Sequence, residues 1–275
     1  MDVSRPRHAI APCLAATLAL TLMILPGGSR ADEDFFGYDE RVVVKPTTLP
    51  WRAIGKVNFA GDGHCTGTLI AADIVLTAAH CLFDEVSDDE DEAEEFVWDP
   101  PLYFLAGFHE GRFAAGARIV DTWMPADFDI DRFAETFEVD NLDYALLRLG
   151  EPIGQDVGWF DVGPLDEAQQ TALLSLAGPK VNQAGYSADS ERRMTAHIGC
   201  RLLKFEPNDT LLHQCDTMVG DSGSPLFFQE AGRYRLIALE SQSLRKDGEL
   251  VNSAVDARSF FEPVQRYIST VNRTN

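Results

Sequence analysis

Two short segments hold a serine and a histidine in settings where they could do chemistry. Gly220-Asp221-Ser222-Gly223-Ser224-Pro225 places a hydroxyl in a glycine-rich turn, where backbone N–H groups can converge on one point. Thr77-Ala78-Ala79-His80-Cys81 places an imidazole at the end of an apolar stretch. A serine hydroxyl is a poor nucleophile at neutral pH. It needs a base within hydrogen-bond reach and donors aimed at the oxyanion it creates. The two segments read as the halves of an acyl-transfer site.

The base in turn needs a third group to fix its tautomer and orientation, commonly a buried carboxylate. Asp143 heads the apolar run Tyr144-Ala145-Leu146-Leu147-Arg148-Leu149, a costly place for an unpaired charge. Asp140 lies outside that run and ranks second. Taken singly, histidines fill cores, aspartates cap strands and serines occupy turns. The joint occurrence of His80, Asp143 and Ser222, each in its expected setting, outweighs those readings. A lipase-like site would need Gly-x-Ser-x-Gly and a histidine after the serine. Position 224 is serine and no histidine follows Ser222, so that reading fails.

The elements that must position these groups are short. Apolar stretches at Ala53–Phe59, Thr66–Ile70, Ile74–Ala78, Leu102–Leu105, Arg118–Thr122 and Tyr144–Leu149 alternate with turn residues. The second half continues with Lys180–Ala184, Arg201–Phe205, Pro225–Phe228, Tyr234–Leu239 and Leu250–Val255. Many short strands with regular turns predict an all-β sandwich or barrel. Only Asp166–Leu176 and Phe260–Val271 read as helices.

At the amino terminus, Arg5 and Arg7 precede an apolar run and the small residues Ser29 and Ala31, the pattern of a secretory signal peptide over residues 1–31. Removing it takes Cys13 and leaves Cys65, Cys81, Cys200 and Cys215, an even number that suggests disulfides in an exported chain. Sequence proximity pairs Cys65 with Cys81 and Cys200 with Cys215. A metal site on the His64-Cys65 and His80-Cys81 couples lacks the tight spacing of zinc ligands. Loss of three arginines and one aspartate takes the formal net charge from −21 to −23. Such a field disfavours nucleic acid and anionic lipid and attracts cationic substrates. The acidic stretches Asp32–Glu40 and Asp84–Glu95 read as loosely held and solvated. Asp127, Asp129, Asp131 and Glu138 have the acidic positions of a calcium loop, but Arg132 stands where the turn glycine belongs, which disfavours calcium. Asn208-Asp209-Thr210 and Asn272-Arg273-Thr274 are glycosylation sequons where the source organism uses them.

The three motifs, in the order His80, Asp143, Ser222, closely resemble those of the trypsin-like (chymotrypsin-fold) serine endopeptidases over about residues 40–270. Asp39-Glu40-Arg41, Thr48, Pro50, Cys65-Thr66-Gly67-Thr68-Leu69-Ile70 and Ser222-Gly223-Ser224-Pro225 further resemble the bacterial glutamyl-endopeptidase branch, whereas Asp221 follows the trypsin pattern. The resemblance implies an all-β fold of two antiparallel six-stranded β-barrels, about 42–150 and 151–258, within a protease domain at 32–275. The active site would lie in the cleft between them, and a C-terminal α-helix at about 260–271 would pack outside. It implies Ser222 as nucleophile, His80 as base and then acid, and Asp143 as its orienting group, with the backbone N–H groups of Gly220 and Ser222 as oxyanion hole. Cys65 and Cys81 match the family's histidine-loop disulfide.

For specificity, Asp216 is expected at the base of the primary pocket, with Thr217, Glu240 and Ser241 around it. Two carboxylates favour cleavage after Lys or Arg. The glutamyl branch uses a threonine and a histidine; Thr217 fits the first and Glu240 takes the place of the second. No obligatory cut at Arg41 is expected, because the glutamyl resemblance keeps Arg41 inside the mature chain. The expected protein is a secreted or periplasmic monomer, free of the membrane after signal cleavage. It needs no cofactor or metal, and its partners are protein or peptide substrates. The rival readings are acidic-residue specificity on the same fold, or a non-catalytic homologue that binds.

Overall fold

The computed structural model describes residue 1 and residues 35–61, 63–86, 95–135, 140–246 and 249–274. The signal-peptide reading, Cys13, the acidic residues 87–94 and Glu138 lie outside the described residues. Residues 31–275 form one compact unit.

Two β units build it. In the first, strands Ile54–Phe59, His64–Leu69, Ile74–Thr77, Ala145–Leu149, Ala115–Trp123 and Pro101–Ala106 pair in that cyclic order and close into a barrel. Closure removes every sheet edge and lets the inward-facing side chains fill the interior. Ile54, Leu69, Ile74, Leu76, Phe104, Leu146 and Leu147 are almost fully buried there. The second unit is a nine-stranded sheet where a closed six-stranded barrel was expected. Its order is Val42–Val43, Thr195–Cys200, Val181–Gly185, Pro225–Glu230, Arg233–Lys246, Glu249–Asp256, Thr210–His213 and Leu202–Phe205, with Asp161–Val162 beside Arg233–Lys246. The extra members are short strands at its rim, and the all-β class with a C-terminal helix stands.

Disulfides join Cys65 to Cys81 and Cys200 to Cys215. The first ties the strand His64–Leu69 to the turn that carries His80. The predicted helix near Asp166 spans Glu167–Leu174, and Asp166 caps it reciprocally with Gln169. The terminal helix runs Ala257–Thr274. Ala257, Phe260, Val264 and Val271 recur at helical spacing and are buried against the β units. Ser259 Oγ donates to Asn141 O at 2.5 Å, which ties this helix to the turn before Asp143. Among the described residues no helix is long and apolar enough to cross a membrane.

Candidate active site

Thr77 ends a buried strand, and the chain turns there so that His80 emerges half-exposed at the rim of the closed barrel. The neighbouring strand begins at Ala145, which puts Asp143 directly under His80. Asp143 is fully buried. Its Oδ2 accepts from His80 Nδ1 at 2.8 Å and from Ser241 Oγ at 2.6 Å, and its Oδ1 accepts from His80 N at 2.9 Å. Burial is the largest influence on this carboxyl and opposes its charge. Electrostatic attraction between the carboxylate and the His80 ring, with the hydrogen bonds from His80 and Ser241, outweighs burial and holds it below the usual carboxylate value. With its Nδ1 donating to an ionised Asp143, His80 presents Nε2 as a proton acceptor. Phe133 stacks on the imidazole at 4.9 Å between ring centroids, 11° from parallel. Asp140, ranked second, is engaged by Arg132 and by Leu142 N instead.

Ser222 comes from the other β unit, on a turn whose glycines are sterically required. Gly220 has φ +93°, and a Cβ there would lie 2.4 Å from Tyr186 O. Gly223 has φ +79°, and a Cβ there would lie 2.3 Å from Thr66 O. Both positions demand glycine for backbone conformation and for space. The turn is tied to the first barrel by Thr66 N to Ser222 O and Thr66 Oγ1 to Gly220 O, each 2.9 Å. Val219 O accepts from Ala188 N at 2.8 Å, so the N–H of the same trans peptide, on Gly220, points the opposite way. Ser224 is buried and accepts from Gln183 Nε2 at 2.8 Å.

His80 and Ser222 face one cleft of about 320 Å³, lined also by Phe133, Thr217, Met218, Glu240, Ser241 and Gln242. Glu240 is buried in its wall. Its Oε1 accepts from Thr217 Oγ1 at 3.3 Å, and its Oε2 lies 2.9 Å from His213 Nε2. Asn252 Nδ2 donates to Thr217 Oγ1 at 2.8 Å and to Cys215 O at 2.7 Å. His213 and Asn252 were not singled out by the sequence reading. Nothing local marks them, since Thr210 shares the strand of His213, and Glu249, Ser253 and Asp256 share that of Asn252.

A family model, the trypsin-like peptidase domain, matches residues 65–239 and so takes in His80, Asp143 and Ser222. The chain belongs to the trypsin-like peptidase family. Glutamyl endopeptidase of Bacillus licheniformis is 30% identical over 200 residues, covering 72% of this chain and 55% of that protein. Serine protease 23 of Homo sapiens is 29% identical over 213 residues, covering 73% and 52%. The chain thus spans about half the length of the curated relatives it matches. A solved Glu endopeptidase superposes with a TM-score of 0.64 at 20% identity, over 85% of this chain and 98% of that one. The protease Anisep from Arthrobacter nicotinovorans gives 0.55 at 16% identity, over 78% and 93%. These two likenesses speak for the fold.

One expectation for this trypsin-like peptidase is corrected. Asp216 does not line the cleft. Its carboxylate turns away from it, accepting from Phe36 N at 3.2 Å and Glu40 N at 2.9 Å beside His197. Adjacent residues of an extended chain point to opposite sides, so with Thr217 in the cleft Asp216 faces away from it. Nor is the segment before Arg41 loose. Phe35 is buried, and the Arg41 side chain is 2% exposed between Asp39 and Asp189. Ionic and backbone contacts with the folded body hold residues 35–41 in place, while residues 32–34 of the acidic stretch lie outside the described residues.

Asp221, next to Ser222, is fully buried; its Oδ2 accepts from Ser187 Oγ at 2.7 Å and Met218 N at 2.9 Å. Its Oδ1 has no hydrogen-bond partner among the described residues. Burial pushes its carboxyl from 3.8 up to about 7, against those hydrogen bonds. The folded state therefore holds this proton more tightly than the unfolded chain, and stability falls as pH rises from about 4 through about 7. The shift corresponds to at most ~4 kcal/mol. In thermal melts, the stability of Asp221→Asn relative to wild type should rise across that window. Parallel curves would show that Asp221 keeps its ordinary value.

Proposed function

We propose that this chain is an exported serine endopeptidase that cleaves peptide bonds after lysine or arginine through an acyl-enzyme. The observation that carries the hydrolytic part is the buried Asp143, bonded twice to His80, in a cleft shared with Ser222 on its glycine turn. Ser222 Oγ attacks the substrate carbonyl carbon while His80 Nε2 takes its proton. The carbonyl π electrons move onto oxygen, and the N–H groups of Gly220 and Ser222 hold that oxyanion. Collapse breaks the C–N bond as His80 returns the proton to the leaving amine, which leaves the acyl group on Ser222 Oγ. Water, deprotonated by His80, then releases the acid and restores the serine. The two disulfides and the signal-like leader support export. The docked, buried Arg41 supports a mature chain that needs no cut there.

Glu240 supports the preference for basic residues. His213 Nδ1 accepts from Cys215 N at 3.2 Å, which leaves the imidazole proton on Nε2, facing Glu240. Thr217 Oγ1 accepts from Asn252 and so turns its proton to Glu240. The Glu240 carboxylate in the cleft wall thus accepts one hydrogen bond, from Thr217 Oγ1, while its Oε2 has no hydrogen-bond partner among the described residues, and a substrate ammonium or guanidinium would compensate its charge. A second reading, cleavage after glutamate, is favoured by the relative named glutamyl endopeptidase. It requires Glu240 to carry a proton when substrate binds. Profiling a peptide library with wild type and Glu240→Gln separates the two. Cuts after Lys and Arg should dominate, and kcat/KM for them should fall about 10²-fold in the variant. Wild-type cuts confined to Glu or Asp would sink the basic preference while leaving the mechanism.

A further inference from the structure

The chain has 44 acidic and 23 basic residues, so a cation near the surface has carboxylates to choose from. Arg41, Arg148, Arg233, Arg235 and Arg258 each lie within ion-pair distance of one. Lys45, Arg112 and Arg193 do not, among the described residues, yet they are gathered in one place. They line a groove of about 510 Å³ on the side of the oxyanion turn's supporting loop, with His109, Phe113 and Val43; Glu110 is its one acidic member. Three exposed like charges brought together cost free energy unless something negative is attracted to them.

The groove is built on a fixed frame. His109 N donates to Arg112 O at 2.6 Å, Glu110 N to Arg192 O at 2.7 Å, and Val44 N to Met194 O at 3.0 Å. These bonds join the segment Val43–Thr47, the turn 107–114 and the loop 188–193, so the cations sit on backbone that cannot splay apart cheaply. His109 Nδ1 is buried without a hydrogen-bond partner among the described residues. Phe113 and Val43 are 52% and 49% exposed beside the cations. An apolar surface framed by unpaired cations matches a ligand that alternates carboxylates with an aromatic or aliphatic side chain.

The loop 188–193 also reaches the catalytic turn. Ala188 N donates to Val219 O at 2.8 Å, and Ser187 Oγ, just before the loop, donates to Asp221 Oδ2 at 2.7 Å. Groove and cleft therefore border the two ends of one supporting loop, and a long polypeptide could contact both. We propose that this groove is an exosite for an acidic polypeptide segment bearing an apolar residue, separate from the cleft that holds the scissile bond. The overall negative charge of the chain repels such a segment elsewhere, which confines it to this patch.

The test is fluorescence anisotropy with a labelled glutamate-rich peptide carrying a central phenylalanine, on mature protein with Ser222→Ala so that nothing is cut. Saturable binding is expected. It should weaken about tenfold or more when Lys45→Glu, Arg112→Glu and Arg193→Glu are combined. The same three changes in active protein should leave hydrolysis of a short chromogenic peptide unchanged. Should the triple variant fail to fold, the single Arg112→Gln and Arg193→Gln proteins are read for a smaller loss. Overturning results are the absence of saturable binding, unchanged affinity in the variants, or displacement of the labelled peptide by a short uncut substrate peptide that occupies the cleft without forming a covalent bond. Equal binding of an oligonucleotide of the same charge would also overturn it, since that would mark a site for any polyanion.

Discussion

Ser222→Ala should lower kcat by about 10⁶ and leave KM and thermal stability nearly unchanged. Among the other hydroxyls lining the cleft, Thr217 Oγ1 donates to Glu240 Oε1 at 3.3 Å. Ser241 is the other hydroxyl near Asp143, and its proton is committed to Asp143 Oδ2 at 2.6 Å. The backbone of the turn does not depend on the side chain: Ser222 O is held by Thr66 N and Gly223 N donates to Glu240 O, each at 2.9 Å. The oxyanion donors thus stay in place, and the variant should keep about 10³–10⁴ of rate over the uncatalysed reaction. Stopped-flow measurement with an ester substrate provides a second readout. The acyl-enzyme burst of the wild type must vanish in the variant. A burst that persists, or a rate within tenfold of wild type, would mean that another group forms the covalent bond.

The meeting of Asp143 with His80, and of His80 with Ser222 in one cleft, was foreshadowed in the sequence because chemistry restricts the settings of such groups. A glycine-rich turn around Ser222 and a carboxylate at the head of an apolar strand are both costly without function, and both are where they were expected. The strands with strong alternation or apolar runs were legible for the same reason. Thr195–Cys200 and Thr210–His213 were not read as strands. Gly199 has φ +83° and His197 interrupts the apolar pattern of the first, while the second is four residues long and follows a polar turn. The pocket was harder. Asp216 and Thr217 are adjacent, and position alone cannot say which faces the cleft without the local pleat. The neighbour that sets the tautomer beside Glu240 comes from another strand. His213 and Glu240 meet because both of their strands pair with Glu249–Asp256, opposite Asn252 and Ala254 respectively. Such contacts arise from sheet order, which no local pattern carries. The unpaired cations of the groove are equally silent in sequence, since Lys45, Arg112 and Arg193 come from three separate segments.

Asp143→Asn should lower kcat by about 10⁴ at neutral pH with little change in KM, through the wrong tautomer of His80 and without loss of the histidine. The hydrogen bonds around the carboxylate decide how the amide would sit. Oδ1 accepts from His80 N, a backbone donor that cannot reverse, so an NH₂ group placed there would face another donor. Oδ2 accepts from His80 Nδ1 and Ser241 Oγ, and both of those partners can switch to accepting. The amide nitrogen should therefore take the Oδ2 position. His80 Nδ1 then becomes an acceptor, its proton moves to Nε2, and that nitrogen can no longer take the proton of Ser222. Geometry is preserved and the direction of proton flow is blocked. Removing the negative charge also takes away what stabilises the imidazolium as it forms. Because the substitution leaves Thr217, Glu240 and the other residues lining the cleft unchanged, affinity should hold. A nitrogen-15 NMR spectrum of the imidazole, with the proton on Nδ1 in the wild type and on Nε2 in the variant, checks the cause directly. A kcat loss below tenfold, or an unchanged tautomer, would remove Asp143 from the role of orienting His80.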